Sequence, residues 1–295
     1  MSDGAMAASP IQYLLHPLGF GVRVMQWGGE GPAVLFVHGL GSHAEIWAPV
    51  ASALAAQGRR CFAIDLPGHG LSQKGGGFSY TAAGHSELFA ALLAELGEER
   101  IDVVGSSLGG LFAAAFATRT PELVRTLTLI GSVGLQPLAP ERRRWTSEYL
   151  AKMDRDSVAT RLRNGVFDPA AISDSFVEEA WRMNNSRGAA ESFAAIGRYY
   201  AEGINDDMQV ERLAALDGRV PLLLVWGKQD VTVAYQGAVE ALPRLARATL
   251  LALDDTRHIP HVERPEVVGT AIALHLDGGD VGILRGPGVE VTAQQ

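Results

Sequence analysis

A serine set among glycines, a pair of histidines three residues apart and several acids that close apolar runs are, taken together, the residue types that can activate a hydroxyl for attack on a carbonyl carbon. The serine lies in "IDVVGSSLGG", Ile101 to Gly110, where Gly105, Ser107 and Gly109 fit the pattern G-x-S-x-G. In that pattern a tight strand-to-helix turn lifts one hydroxyl clear of the backbone. The pentapeptide alone is weak support, since a turn that merely needs glycine has the same composition. A nucleophilic serine also requires a histidine to take its proton, a carboxylate to orient that histidine, and backbone donors for the oxyanion. Ser107 has glycine at both two-residue offsets and the adjacent Ser106 does not, so Ser106 reads as a turn or pocket-wall residue.

The elements that must position these groups are short and apolar. Strand-like runs cover Ala33 to Gly39, Cys61 to Gly68, the segment from Ile101, Val124 to Ser132, Pro221 to Asp230 and Ala248 to Asp255. Most are apolar at successive positions, which suits strands covered on both faces of a parallel sheet. Helix-like segments lie between them, as at Trp47 to Gln57, Thr81 to Leu96 and Leu108 to Thr118. The opening run from Ile11 to Gly31 reads as two antiparallel edge strands. The fold class is therefore α/β, a mostly parallel sheet flanked by helices. From about residue 135 to 215 strands give way to helices, read at 141–153, 173–185 and 189–203, which suggests a helical cap over one edge of the sheet. The expected division is a core of 10–134 and 216–277, a cap of 135–215, and flexible tails at 1–9 and 278–295.

In open α/β sheets, ligands and catalytic groups gather at the carboxyl ends of strands. Those ends carry His38, Gly39, Leu40 and Gly41 after one run, and Ser107 after another. Asp230 closes a third, and the last is followed by Asp254, Asp255, His258 and His261. A serine, an acid and a histidine thus follow three separate strands in that order, a far rarer combination than the pentapeptide.

Five stretches between Val34 and Glu266, "HGLG", "DLPGHGLS", "GSSLGG", "WGKQD" and "HIPHVERPE", resemble the α/β-hydrolase family, and the helical interval stands where that family carries its cap. The resemblance implies Ser107 as nucleophile, Asp230 as orienting acid and His258 as base. It makes the amides of Leu40 and Leu108 the oxyanion donors and gives His261 a supporting place in the loop. Asp254 and Asp255 then solvate a strand end, Asp65 is structural, and His38 and His69 stabilise turns. Most aromatic residues of the cap hold it together, yet some should line an apolar ligand pocket. Ser106, Trp145, Phe167, Trp181 and Ile259 are the candidates.

Serine at position 107 argues against the aspartate chemistry of dehalogenases and epoxide hydrolases. The stretch from Gly165 to Ala189 is similar to the cap of hydrolases that cleave carbon-carbon bonds in ring-fission products. Three positions depart from their pattern: Ser106 replaces an asparagine, Ala180 a carboxylate-binding arginine, and Ile259 a tryptophan. Arg182, two places from Ala180, would face elsewhere on a helix. Arg257 stands where glycine commonly precedes the histidine. The expected activity is hydrolysis of a carboxylic ester of a small or medium apolar substrate through an acyl-enzyme. Carbon-carbon hydrolysis is the alternative, with acyl transfer, thioester hydrolysis and a catalytically silent ligand-binding protein behind it.

Composition narrows the partners. A formal charge of −8 argues against nucleic acid or an anionic membrane as partner, so a small molecule is the expected ligand. No histidine pair stands at the i, i+4 spacing of an H-E-x-x-H site, there is no cysteine pair, and no glycine-rich run ends in the Lys-Ser/Thr of a phosphate loop, so neither metal nor cofactor is expected. The single cysteine, Cys61, lies in an apolar run and reads as a buried structural thiol. With no leader-like segment at the amino terminus, the expected compartment is the cytoplasm.

Overall fold

The apolar runs assemble into one nine-stranded sheet in the computed structural model, which describes residues 9–294. In chain order the strands are β1 (Ile11–Leu15), β2 (Val22–Trp27), β3 (Ala33–Val37), β4 (Arg60–Ile64), β5 (Ile101–Ser106), β6 (Val124–Ile130), β7 (Leu222–Gly227), β8 (Ala248–Leu253) and β9 (Val289–Ala293). Their spatial order is β1-β2-β4-β3-β5-β6-β7-β8-β9. From β4 to β8 neighbours run parallel, while β1, β2 and β9 pair antiparallel at the edges. Every residue of β3, β5 and β7 is buried, which is why those runs show no polar alternation.

The strand order locates the site. From β3 the chain crosses to β4 on one side and returns to β5 on the other, so the turns after β3 and β5 diverge and leave a crevice between them. Those two turns carry His38–Gly41 and Ser107.

Among the described residues the helices are α1 (Ala48–Ala56), α2 (Ala82–Leu96), α3 (Leu108–Arg119), α4 (Pro140–Lys152), α5 (Arg155–Asn164), α6 (Asp174–Asn184), α7 (Ala189–Glu202), α8 (Val210–Ala214), α9 (Tyr235–Ala241), α10 (Pro260–Glu263) and α11 (Pro265–Leu276). Helix α2 shows how sequence sets such bounds: Thr81 accepts the Gly84 amide at its start, and Gly97, at φ 72°, ends it. Helices α1 and α11 cover one face of the sheet, against Val34, Phe36, Val104 and Val225. Helices α2 and α3 cover the other, against Leu35, Val37 and Val103. Cys61 is fully buried and burial pushes its thiol up to about 12, so it is an inert core residue.

The insertion between β6 and β7 has two halves. Tyr149 and Leu150 of α4 join Phe193, Ile196 and Tyr200 of α7 in the cluster that continues into the core. Helices α5 and α6 instead bury Val158, Leu162, Val166, Val177 and Ala180 in a small cluster of their own. The sequence reading has no helix at α5, whose ten residues supply only Val158, Ala159 and Leu162 as buried positions. What starts it is a polar cap, Asp154 accepting the Ser157 amide at 2.9 Å.

The carboxyl-terminal stretch also differs from expectation. Within 278–295, read above as a tail, β9 closes the sheet against β8, with Val291 opposite Leu251 and 5% exposed. Only one of its five residues is buried, so the signal was a single short alternation after a Gly-Pro-Gly turn. At the other end, residues 1–8 of the expected tail 1–9 lie outside the described residues. No described helix is long and apolar enough to cross a membrane.

Val291→Asp places a carboxylate in the cluster under α11 and is expected to cost about 2–3 kcal/mol. Urea denaturation measures it; an unchanged midpoint would show that the segment is a tail.

Candidate active site

Ser107 follows β5 directly and precedes α3, and its backbone sits at φ 54° and ψ −120°. A non-glycine residue held there stores on the order of 1–3 kcal/mol, so the surroundings must enforce it. They do so from three sides. The Ser107 amide donates to the carbonyl of Ile130 on β6 at 2.9 Å, and its own carbonyl accepts from Gly110, Leu111 and Val133 at 3.0, 3.3 and 3.1 Å. A Cβ on Gly109 would lie 2.3 Å from the His38 carbonyl oxygen, and one on Gly39 would lie 2.9 Å from the Ser107 Cβ. The two turns therefore touch backbone to backbone, which only hydrogen side chains allow.

The base and acid arrive from β8 and β7. His258 Nε2 lies 2.9 Å from Ser107 Oγ, and its Nδ1 lies 2.8 Å from Asp230 Oδ2. The other Asp230 oxygen accepts the amides of Thr232 and Val233 at 2.7 and 3.0 Å, so the carboxylate is fixed before the imidazole reaches it. Gly131, at φ 51°, makes room for the pair: a Cβ there would stand 2.8 Å from the His258 carbonyl oxygen. Serine, imidazole and carboxylate are each 10% exposed or less, a site screened from bulk water. This arrangement can draw the serine proton to Nε2 as Oγ attacks, while the carboxylate stabilises the resulting imidazolium.

The two amides expected to receive an oxyanion lie at the same crevice. Leu108 is the first residue of α3, where amides have no intrahelical acceptor. Among the described residues the amides of Leu40 and Leu108 donate to no protein acceptor. The turn carrying Leu40 is held from below by His38, whose Nδ1 donates to the Gly39 carbonyl at 2.7 Å while Nε2 accepts the Leu66 amide at 3.0 Å. That bonding needs a neutral ring, and burial keeps His38 neutral by pulling it down to about 4. Asp65 is structural in the same region, accepting the amides of Ala44 and Leu71 at 2.7 and 2.8 Å.

From above, the cap holds the same turn. Arg161 of α5 donates to the carbonyls of Leu40 and Gly41 at 3.0 and 3.1 Å and to the Tyr149 hydroxyl at 2.9 Å. Asn184 of α6 adds a bond to the Gly41 carbonyl at 3.0 Å. The His258 amide donates to Gly165 at the end of α5 (2.9 Å), and Glu263 accepts the amides of Phe167 and Arg257 at 2.6 and 2.9 Å. Arg257 turns outward, toward the Asn164 carbonyl at 3.4 Å, so this departure from glycine leaves the histidine loop intact.

Between cap and crevice lies a cavity of about 580 Å³ whose wall includes Ser107 and His258. Of the sequence candidates, Ser106, Trp145, Ile259 and Leu40 line it. Phe167 and Trp181 do not: Phe167 stands 43% exposed beyond α5, and Trp181 packs on the small cluster inside the cap. Tyr149, Phe176 and Tyr200 line it in their stead, together with Arg142 and Arg161. Arg161 was illegible because α5 was. Tyr149 and Tyr200 sit on predicted helices, and only the facing of α4 and α7 separates them from the buried aromatics beside them.

The remaining candidates lie elsewhere. His261 stacks on Trp47 at 4.2 Å, and burial lowers it to about 3. Asp254 pairs with Lys228 at 3.1 Å, and His69 contacts the Pro67 carbonyl at 3.1 Å. Among the described residues no group of three or more His, Cys, Asp or Glu is placed to hold a metal ion.

Comparison with known proteins places this geometry. A family model described as the alpha/beta hydrolase fold matches residues 32–265. The chain is 30% identical over 264 residues to the dihydrolipoyllysine-residue acetyltransferase component of the acetoin cleaving system of Pseudomonas putida, covering 87% of this chain and 67% of that protein. It is 40% identical over 109 residues to the esterase Rv0045c of Mycobacterium tuberculosis, 37% of this chain and 36% of that one. A 2-hydroxymuconate semialdehyde hydrolase of Pseudomonas putida is 30% identical over 244 residues, 81% of this chain and 84% of that one.

Arg161 bonds the turn that carries the Leu40 amide, so on the expectation that this amide receives an oxyanion, loss of Arg161 should appear in turnover. Arg161→Met is expected to lower kcat about tenfold, with KM within about twofold and partial recovery in Arg161→Lys. Steady-state kinetics on a cleaved ester checks this; a rise in KM at constant kcat would assign Arg161 to substrate binding instead.

Proposed function

The chain belongs to the α/β-hydrolase fold family, and from that premise we propose that it hydrolyses a carboxylic ester of small or medium size through an acyl-enzyme. The observation that carries the proposal is the unbroken chain of contacts Ser107–His258–Asp230, at 2.9 and 2.8 Å, opening on a closed-over cavity. Ser107 Oγ attacks the ester carbonyl as His258 Nε2 takes its proton. The carbonyl oxygen, now negative, is received by the amides of Leu40 and Leu108. Collapse of the tetrahedral species expels the alcohol, which takes the proton back from Nε2. Water, deprotonated by the same nitrogen, then releases the acid and frees Ser107.

One feature of the wall favours an ester over a ring-fission carbon-carbon bond. Ile259 presents an aliphatic surface beside the base, where the carbon-carbon hydrolases carry tryptophan. Ala180, 2% exposed in the cluster inside the cap, is a departure from the carbon-carbon hydrolases that does not decide the matter, because Arg142 of α4 lines the same cavity. The local likeness to an esterase agrees with this reading, while the likeness to a semialdehyde hydrolase keeps carbon-carbon cleavage as the competing one.

A fluorophosphonate is expected to add to Ser107, read by mass spectrometry, and Ser107→Ala to abolish both adduct and turnover, with a loss on the order of 10⁴-fold or more. In a panel of p-nitrophenyl esters run beside a dienone ring-fission product, the esters should turn over and the dienone should not. Dienone turnover with negligible ester cleavage would refute the ester assignment.

A further inference from the structure

The cavity wall has a charge that the rest of the molecule does not suggest. The chain carries a net charge of −8, yet two guanidiniums, those of Arg142 and Arg161, line the cavity and neither forms an ion pair among the described residues. Arg161 is occupied, since its three nitrogens donate to Tyr149, Leu40 and Gly41. Arg142 is not. Among the described residues its side chain donates no hydrogen bond, and its guanidinium rests over the Trp145 ring at 4.8 Å. That contact orients the group without neutralising it.

The surroundings of Arg142 are those of a binding site awaiting an anion. Burial pulls its guanidinium below the usual arginine range, with Tyr200 and Asp230 acting in the opposite sense, so it is partly stripped of water. Tyr200 is 4% exposed, lines the same cavity, and its hydroxyl has no protein hydrogen bond among the described residues. Arg142, Arg161 and Tyr200 all line this one cavity. Glu148 and Asp156, the carboxylates on the cavity wall, are exposed to solvent and leave Arg142 unpaired. A half-desolvated guanidinium and a free phenol lining one cavity match a carboxylate, which can accept two parallel bonds from the fork and a third from the hydroxyl.

We propose that the substrate carries a second, ionised carboxylate, and that Arg142 with the Tyr200 hydroxyl binds it while Ser107 acts on the ester. This rests on the ester-hydrolase reading above and narrows it: a hemi-ester of a dicarboxylic acid, with an apolar chain joining its two ends. The carboxylate fixes the substrate's direction in the cavity and places the scissile carbonyl at the Leu40 and Leu108 amides. The site lies on α4, away from position 180 of α6, and takes nothing from that helix.

The test compares mono-p-nitrophenyl glutarate with p-nitrophenyl pentanoate, a pair alike in length that differs in the terminal carboxylate. The wild-type protein is expected to prefer the glutarate in kcat/KM by on the order of tenfold or more, and the ratio should fall toward one in Arg142→Met and recover in part in Arg142→Lys. Rising salt should reduce the wild-type ratio. Calorimetric titration of monomethyl glutarate into Ser107→Ala protein, with and without Arg142→Met, reads the site without any turnover, and circular dichroism confirms that each variant is folded. A wild-type ratio of one, or a preference that survives Arg142→Met, overturns the carboxylate site while leaving ester hydrolysis standing. If neither ester is cleaved and Ser107 takes no fluorophosphonate, the ester reading falls, and the titration still decides whether Arg142 binds the carboxylate.

Discussion

Two turns meet so closely at the crevice of this sheet that backbone lies on backbone. The carbonyls of Val37 and His38, at the end of β3, stand where any side chain on Gly109 would have to go. That contact holds the start of α3 against the end of β3, keeps Ser107 in a backbone conformation it would not choose, and brings Leu40 and Leu108 to the same opening. Positive backbone angles at serine persist only where the surroundings supply the difference in free energy. Here strand β6 and the turn after it supply part of it, through the Ile130 carbonyl and the Val133 amide, which bond the two ends of the Ser107 residue. Every later feature of the site presupposes this contact, because the histidine can be aligned only on a hydroxyl whose position is settled.

The cap is more than a cover. Arg161 and Asn184 grip the carbonyls of Leu40 and Gly41, while the Gly165 carbonyl and the Phe167 amide bond the His258 amide and Glu263 of the histidine loop, so one insertion braces both turns. The brace acts through backbone carbonyls and amides, which leaves side chains on the cavity wall free to set specificity. The wall combines a mostly apolar lining with one guanidinium, that of Arg142, which has no hydrogen-bond acceptor among the described residues, a combination suited to a ligand that is apolar along its length and charged at one end.

Much of the core was legible because its signals are local and redundant. Six short apolar runs, most without alternation, read as strands of a covered sheet, and the residues at their carboxyl ends follow directly from the topology. Ser107, Asp230 and His258 are among the few residues that terminate or follow such a run, and the family resemblance chooses them over Asp254, Asp255 and His261. The cap was harder for a physical reason. Helix α5 buries three residues of ten, too few for a stripe, and Arg161 on it reads as an ordinary surface charge until its partners, more than a hundred positions away, are known. Strand β9 fails in the same way, since an edge strand with one buried residue looks like a polar tail. Phe167 and Trp181 show the limit of composition: an aromatic residue in a cap has several apolar surfaces to cover, and only the packing of α5 on α6 decides which.

The central claim is that the Leu40 and Leu108 amides and the Ser107–His258 pair form one preassembled site for a tetrahedral oxyanion. A crystal structure of the protein with a phosphonate bonded to Ser107 Oγ tests it most directly. The account predicts the phosphoryl oxygen within about 3.2 Å of both amide nitrogens, with little change in the turn around Gly39. A phosphoryl oxygen turned toward solvent, or held by groups other than these two amides, would contradict it.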